Sequence, residues 1–413
     1  MAPTDPEARS SSLQARYSRV REHTEDLAAP LSPEDQTVQS MPDVSPTKWH
    51  RGHTTWFFET FVLPRHDHDH SVFHPAFGYI FNSYYEAVGS RHPRDRRGVI
   101  SRPGVGEIAD YRAHVDKAMA ELFDARAADG TLSLVELGLN HEQQHQELLL
   151  MDIKHVLSCN PIAPEYRPSD GLPVAVSNRL GWAEHDGGVV EVGHTGDGFG
   201  FDNEFPHHKA LVPPFALADR LVTCGEWLEF IDDGGYANPE LWLSDGWATV
   251  NQQHWGAPLY WSRVDGEWLE FTLTGSRPVN PSEPVCHVSY YEADAYAHWT
   301  GLRLPTETEW EAIAANFAPT TTEHLHPVPG DRPMGDLFGE VWQWTASPYA
   351  PYPGFRAAPG AVGEYNGKFM VNQHVLRGGA CVTPEGHTRA SYRNFFHPAS
   401  RWAFSGVRLA RDS

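Results

Sequence analysis

The stretch LNHEQQHQELLL, residues 139–150, sets two histidines four residues apart among leucines. On a helix, positions i and i+4 project from one face, so the imidazoles of His141 and His145 can reach one ion. Leu134, Leu137, Leu148 and Met151 put an apolar core face close by, while Glu142 and Gln144 crowd the same turn. The spacing also suits two polar residues on an exposed helical stripe. A further ligand elsewhere in the chain would decide between the two.

Outward from this stretch, the chain before residue 160 is built of long amphipathic segments. In VGEIADYRAHVDKAMAELF, apolar residues recur at Ile108, Tyr111, Val115, Met119 and Leu122, the spacing of a helix with one buried face. Ser45-Pro46 reads as a capping residue before a first-turn proline, and Ser133 with Glu136 as a capping box. Four such helices predict a bundle over residues 1–160. The proline-rich, polar run SCNPIAPEYRPSDGLP marks a linker, placed at 161–175. Residues 176–413 turn to short strands, tryptophans and Gly/Pro/Asn/Asp loops, with short helices around TCGEWLEFIDD and SYYEADAYAHWTG. The fold class expected is α+β in two domains. The run HDHDH (66–70) reads as a solvated loop beyond a helix end.

Upstream, SPTKWHRGHTTWFFE (45–59) holds His50 and His53, three apart on an aromatic helix. Three neutral imidazoles from two helices would leave open positions on one side of an ion. That suits a redox metal binding substrate and O₂, most plausibly Fe(II), although spacing alone also admits zinc. His141-Glu142-x-x-His145 is equally the H-E-x-x-H pattern of zinc hydrolases, with Glu142 as base. The third ligand that reading needs would be Glu165, which falls inside the proline-rich linker.

Composition narrows the partners. The chain has 413 residues, 54 acidic against 32 basic, for a net charge of −22. So acidic a surface argues against nucleic acid and against an anionic membrane. No apolar run reaches the ~20 residues of a membrane span, and the first residues show no signal-peptide pattern. Cys159, Cys224, Cys286 and Cys381 are widely spaced, which fits a reducing cytoplasm rather than a disulfide framework.

These residues carry a family resemblance. W-H-x-x-H-T-x-W-F-F-E followed by N-H-E-Q-Q-H-Q-E resembles a DinB-type four-helix bundle. FDNEFPHHKALVPPFALADRLVTCGEWLEFI, PVCHVSYYEADAYAHWTGLRLPTETEWEAIA, GDLFGEVWQWTAS and VLRGGACVTPEGHTRASYRNFF resemble a formylglycine-generating-enzyme/sulfatase-modifying module, a C-type-lectin-like fold. The pairing, in this order and over nearly the whole chain, resembles the ergothioneine-biosynthetic sulfoxide synthases. In those enzymes a three-histidine iron site in the bundle faces the lectin-like module, and the substrates bind between them. The reaction joins a cysteine-type thiol to imidazole C2 of N-α-trimethylhistidine (hercynine), with O₂ as oxidant and a sulfoxide as product.

Carried over, the resemblance implies His53, His141 and His145 as Fe(II) ligands. It implies Gln144 as a hydrogen-bond partner of the substrate imidazole. Asn394, Phe395 and Phe396 would meet the trimethylammonium group, which has no N–H to donate and suits aromatic faces and an amide oxygen. Tyr84 and Tyr85 are candidates for proton donation. If they lie on a helix they point about 100° apart, so only one can address the metal. In the arginine-rich RHPRDRRGVISRP (91–103), Arg94 or Arg97 would pair with the cysteine carboxylate.

Departures from the family choose among thiols. The actinobacterial branch, which takes γ-glutamylcysteine, carries an Asp and an Arg where this chain has Phe396 and Ser400, so free cysteine is the expected donor. The ovothiol-type 5-histidylcysteine synthases usually carry a methyltransferase domain for which no residues remain. Formylglycine-generating chemistry needs two closely spaced cysteines for copper(I), and only Cys381 lies in the corresponding segment. A structural Ca²⁺ in the lectin-like module has no ligands that the sequence identifies.

Overall fold

The computed structural model describes residues 6–125, 127–168, 171, 179–196, 198–320, 324–358 and 360–413. The chain is α+β and forms two compact units. The first comprises residues 1–162 together with 196–199 and 357–365; the second comprises 163–195, 200–356 and 366–413. Of the expected linker, residues 169, 170 and 172–175 lie outside the described residues.

Four long helices make up most of the first unit: α1 (Pro6–Ala28), α2 (Thr47–Phe57), α3 (Val105–Asp124) and α4 (Asp129–Ser158). The stripe expected on α3 is the one it buries: Ile108, Tyr111, Val115, Met119 and Leu122 are all completely inaccessible. Each such side chain contributes roughly 1.5–3 kcal/mol by leaving water. On α4 the core face differs from expectation. Leu132, Val135, Leu139, Leu149, Leu150, Ile153 and Leu157 are buried and so, as expected, is Met151, while Leu134, Leu137 and Leu148 are only half-buried. The face was misplaced because polar residues that pair inside the bundle also fill buried positions of this helix.

The two capping assignments also shift. Pro46, not Ser45, occupies the N-cap of α2, and no side chain caps that helix. Ser133 and Glu136 lie inside α4, where the Ser133 hydroxyl donates to the Asp129 carbonyl at 3.0 Å. Beyond Phe57, α2 widens into a π-helical turn, Phe58–Val62, before a last turn at Leu63–His66. Pro64 has no N–H and its ring would meet the carbonyl four residues back, and a wider turn ahead of it relieves that clash.

In the second unit, a four-stranded sheet runs in the order Asn394–Phe396, His374–Arg377, Trp342–Pro348, Ser405–Gly406, the last pair parallel. A three-stranded sheet joins Trp182–His185, Phe215–Ala218 and Ala410–Asp412. Phe215, Leu217, Trp310, Leu337, Phe338 and Ala410 form its core. Both expected helices are present, at Cys224–Asp232 and Tyr290–Trp299. Two more, Ser244–Gln253 and Glu307–Ala314, were missed, although Thr306 and Glu309 supply a complete capping box for the second. Among the described residues no helix is long and apolar enough to cross a membrane.

Candidate metal centre

Helices α2 and α4 pack side by side and bring His53, His141 and His145 together, one potential ligand nitrogen from each lying within 4.8 Å of the other two. Close approach of the helices depends on Gly138, where a Cβ would come within 2.6 Å of the Phe58 ring. Trp49 and Trp56, four residues before and three after His53, stack on its two faces at centroid distances of 4.6 and 5.5 Å. That sandwich fixes the plane of the ring.

Hydrogen bonds fix which nitrogens remain free. His53 Nδ1 lies 2.6 Å from the Phe81 carbonyl, which can only accept, so Nδ1 carries the proton and Nε2 keeps its lone pair. His50 Nε2 lies 3.0 Å from the Asp152 carboxylate, and His50 Nδ1 lies 2.8 Å from His145 Nδ1. If His50 donates to Asp152, its Nδ1 accepts from His145 and the Nε2 of His145 is left as a ligand. The Nε2 atoms of His53 and His141 are 3.2 Å apart. His141 Nδ1 is buried without a hydrogen-bond partner.

Burial, then the neighbouring imidazoles, pushes the pKa values of His53 and His145 well down. Burial likewise lowers His141, to about 3. The three rings are therefore neutral, the protonation state a metal requires. A set of neutral, convergent lone pairs, two on buried rings and one on the half-buried His145, fits a divalent ion with open positions.

Glu142 takes no part in this set. It is completely buried, and its carboxylate accepts from Thr24 at 2.7 Å and from Arg21 and Arg112 at 3.0 Å each. Burial alone would raise its pKa; the two guanidiniums more than offset that and hold it below the usual carboxylate range. A carboxylate locked between two arginines cannot serve as a base toward a metal-bound water, so the zinc-hydrolase reading of H-E-x-x-H fails here.

Several further side chains gather at the histidines. Gln144 is half-buried and its Oε1 accepts from the Tyr365 hydroxyl, whose ring packs edge-on against His141 at 5.7 Å. Tyr84 and Tyr85 stack on each other at 4.6 Å, and Tyr84 meets Tyr365 edge-on at 6.4 Å. They lie in a turn, not a helix, so the expectation that they point about 100° apart does not apply. Tyr85 is the buried member, against Trp56 and Phe61, and burial followed by Tyr84 holds its phenol protonated. Glu364 anchors the turn by accepting the backbone N–H groups of Glu86 and Ala87 at 3.0 and 2.9 Å. Tyr365 and Glu364 were missed because they come from a Gly-rich loop far along the chain, with no periodic pattern to flag them. Asp152 was missed because it sits two turns beyond the H-E-x-x-H pattern.

The sulfatase-modifying factor enzyme 1-like domain model matches residues 185–326 and 331–413. The chain is 32% identical to a hercynine oxygenase of Mycolicibacterium thermoresistibile over 90% of its own length and 88% of that protein. With the hercynine oxygenase of Mycobacterium tuberculosis it shares 31% identity over 90% and 92%. The chain belongs to the hercynine oxygenase family. It is similar, at 26% identity over 52% of its length, to ergothioneine biosynthesis protein 1 of Schizosaccharomyces pombe, of which the match covers 28%. It is therefore an enzyme of the oxygenase type.

The remaining sequence-derived residues of this hercynine oxygenase relative divide between the two units. In the first, Arg94 is exposed and donates to the Asp43 carbonyl, while Arg97 is buried, lies 3.3 Å above the Trp49 ring and donates to Ser45 Oγ at 2.8 Å. In the second, Asn394, Phe395 and Phe396 form one short strand and are all half-buried. Phe395 stacks on Tyr349 at 4.0 Å, Phe396 packs edge-on against Trp402, and Asn394 Oδ1 accepts the Phe395 N–H.

Proposed function

We propose that the enzyme is a non-haem Fe(II) sulfoxide synthase of ergothioneine biosynthesis, joining the sulfur of cysteine to C2 of the imidazole of N-α-trimethylhistidine. The observation that carries this reading is the convergence of three neutral imidazoles, His53, His141 and His145, beside the Gln144–Tyr365 pair. The first half is read as a DinB-type bundle and the second as a C-type-lectin-like module. Iron bound by the three histidines would supply the site at which thiolate, imidazole and O₂ meet.

The stoichiometry closes without an added reductant. One O₂ takes up four electrons, two from making the C–S bond and two from oxidising sulfur to sulfoxide; the thiol and C2 protons leave as water with the second oxygen. The chain's own groups bind, orient and protonate. Gln144 presents an amide to the substrate imidazole, with its orientation set by the Tyr365 hydroxyl. Of the two stacked tyrosines, one delivers a proton to reduced oxygen. Phe395, Phe396 and Asn394 receive the trimethylammonium group, and Arg97 or Arg94 pairs with the thiol substrate's carboxylate.

Free cysteine is the proposed thiol. The arginine next to Ser400 in the chain is Arg401, and its guanidinium is committed to Glu292 at 2.9 Å and lies over Trp255. Phe396 faces Trp402. Neither position offers charge to a glutamyl group. The test is anaerobic reconstitution with Fe(II), then addition of O₂, trimethylhistidine and each thiol, with products read by mass spectrometry. The expected mass is the sum of cysteine and trimethylhistidine plus one oxygen less two hydrogens. Absence of that product with every thiol would refute the assignment.

A further inference from the structure

Another cluster of ligand-type side chains lies in the first unit, away from the three histidines of the proposed iron site. Glu59, in the π-helical turn after α2, is buried. Its carboxylate accepts from the Tyr111 hydroxyl at 2.6 Å and from the backbone N–H of Phe73 at 2.8 Å. His70 ends the HDHDH run, but unlike His66 and His68 it turns inward. Its side chain is 9% exposed, and its Nε2 is buried with no hydrogen-bond partner, 3.8 Å from Glu59 Oε1. That separation is too long for a hydrogen bond. His114 of α3 lies alongside, its ring 5.7 Å from that of His70 and its Nε2 3.1 Å from the Ser71 carbonyl. One nitrogen from each histidine and one Glu59 oxygen lie within 4.8 Å of one another.

We propose that Glu59, His70 and His114 form a second metal site, for a borderline divalent cation of the Zn²⁺ class. Two imidazoles and a carboxylate are the donor set such ions take. Ligands about 2.0–2.1 Å from a tetrahedral ion lie about 3.3–3.4 Å apart, so the present spacing closes with small side-chain movements. The carboxylate is already oriented by Tyr111 and Phe73, and His114 by Ser71, the outer bonds that metal ligands normally carry. A π-turn is a common device for aiming a residue at a functional point, and here it presents Glu59. The unpartnered His70 nitrogen is what a purely structural reading leaves unexplained, since a buried polar atom without a partner is costly. Bound there, the cation would pin the loop carrying His70 to α2 and α3.

The test counts metal on the full chain. After saturation with Co²⁺ and dialysis, the wild type should hold two equivalents by elemental analysis. His70→Ala and His114→Ala should each hold one, as should His53→Ala. The double variant His66→Ala/His68→Ala, which removes the exposed imidazoles of the same loop, should keep both. In the His53→Ala background, Zn²⁺ should raise the melting temperature, and His70→Ala should abolish that rise. A metal content in His70→Ala equal to that of the wild type, or loss in the His66/His68 variant, would each overturn the proposal.

Discussion

Replacing His50 by alanine separates a ligand from the residue that aims one. His50 bridges His145 Nδ1 at 2.8 Å and Asp152 at 3.0 Å, so it sits behind the metal position. Losing a partner of this kind typically lowers metal affinity 10–100-fold, which is about 1.4–2.7 kcal/mol. The apo chain should also lose stability. Asp152 is buried and would lose its His50 partner while keeping the Ser45 N–H at 2.8 Å, at a cost of roughly 1–3 kcal/mol for an acceptor left short of a partner. Anaerobic equilibrium dialysis against Fe(II) gives the affinity, and a denaturant melt of the apo chain gives the stability. His53→Ala, run beside it in a His70→Ala background that removes the second proposed site, should bind no stoichiometric iron, and Asp152→Asn should fall between wild type and His50→Ala. If His50→Ala lost iron as completely as His53→Ala, or if its affinity were unchanged, the orienting role would be refuted. Retention of iron in His53→Ala would exchange the roles of the two histidines.

Glu142→Gln should cost about 3–5 kcal/mol of stability in chemical denaturation, because it removes the one fully buried carboxylate that Arg21 and Arg112 share; activity per iron-loaded, folded molecule should persist, and its abolition would show that Glu142 acts in the chemistry. The wild-type carboxylate's pKa is depressed on folding, so its contribution is fully present above its ordinary value of 4.5 and lost as pH falls through the lower folded value, a step that an acid titration of Glu142→Gln should lack. Cysteine should exceed γ-glutamylcysteine in kcat/KM by roughly two to four orders of magnitude, the worth of two charge-assisted hydrogen bonds at ~1.5–3 kcal/mol each; comparable values for the two thiols would contradict the reading of Phe396 and Ser400. Gly52→Ala places a Cβ within 2.4 Å of the Phe81 ring and should destabilise by about 1–3 kcal/mol while weakening iron binding through the Phe81 carbonyl on His53. A melt and an iron titration with no change would show that Phe81 gives way freely.

Much of the first unit could be read from periodicity. The α3 stripe is contiguous in pattern and is what the helix buries. The histidine pair was legible because a turn of helix turns a four-residue spacing into proximity, whatever else the chain does. The α4 core face was not, because Glu142, Gln146 and Asp152 are polar yet buried, and their partners come from other helices. Choosing between His50 and His53 likewise needed Phe81 and Asp152, whose positions no local spacing encodes. His70 was read as solvated together with its neighbours, since a turn that reverses one side chain leaves no compositional trace. Strand regions after residue 176 announced themselves by turn residues, but the pairing of Asn394–Phe396 with His374–Arg377 rests on contacts that only the folded chain makes.

The segment 357–365 belongs to the compact unit that bears the histidines, although it follows most of the other unit in the chain. During synthesis, Tyr365 leaves the ribosome roughly 200 residues after Ile162; at about 5–20 residues per second, that is a delay of roughly 10–40 s. Through that interval the Gln144 amide lacks the Tyr365 hydroxyl and the Tyr84–Tyr85 turn lacks its Glu364 anchor. A ribosome-stalled intermediate ending before residue 357 would therefore carry the three imidazoles with an unfinished wall. Gene truncation would freeze the same state, so exchanging the first half between relatives as a cassette separates Gln144 from its own tyrosine.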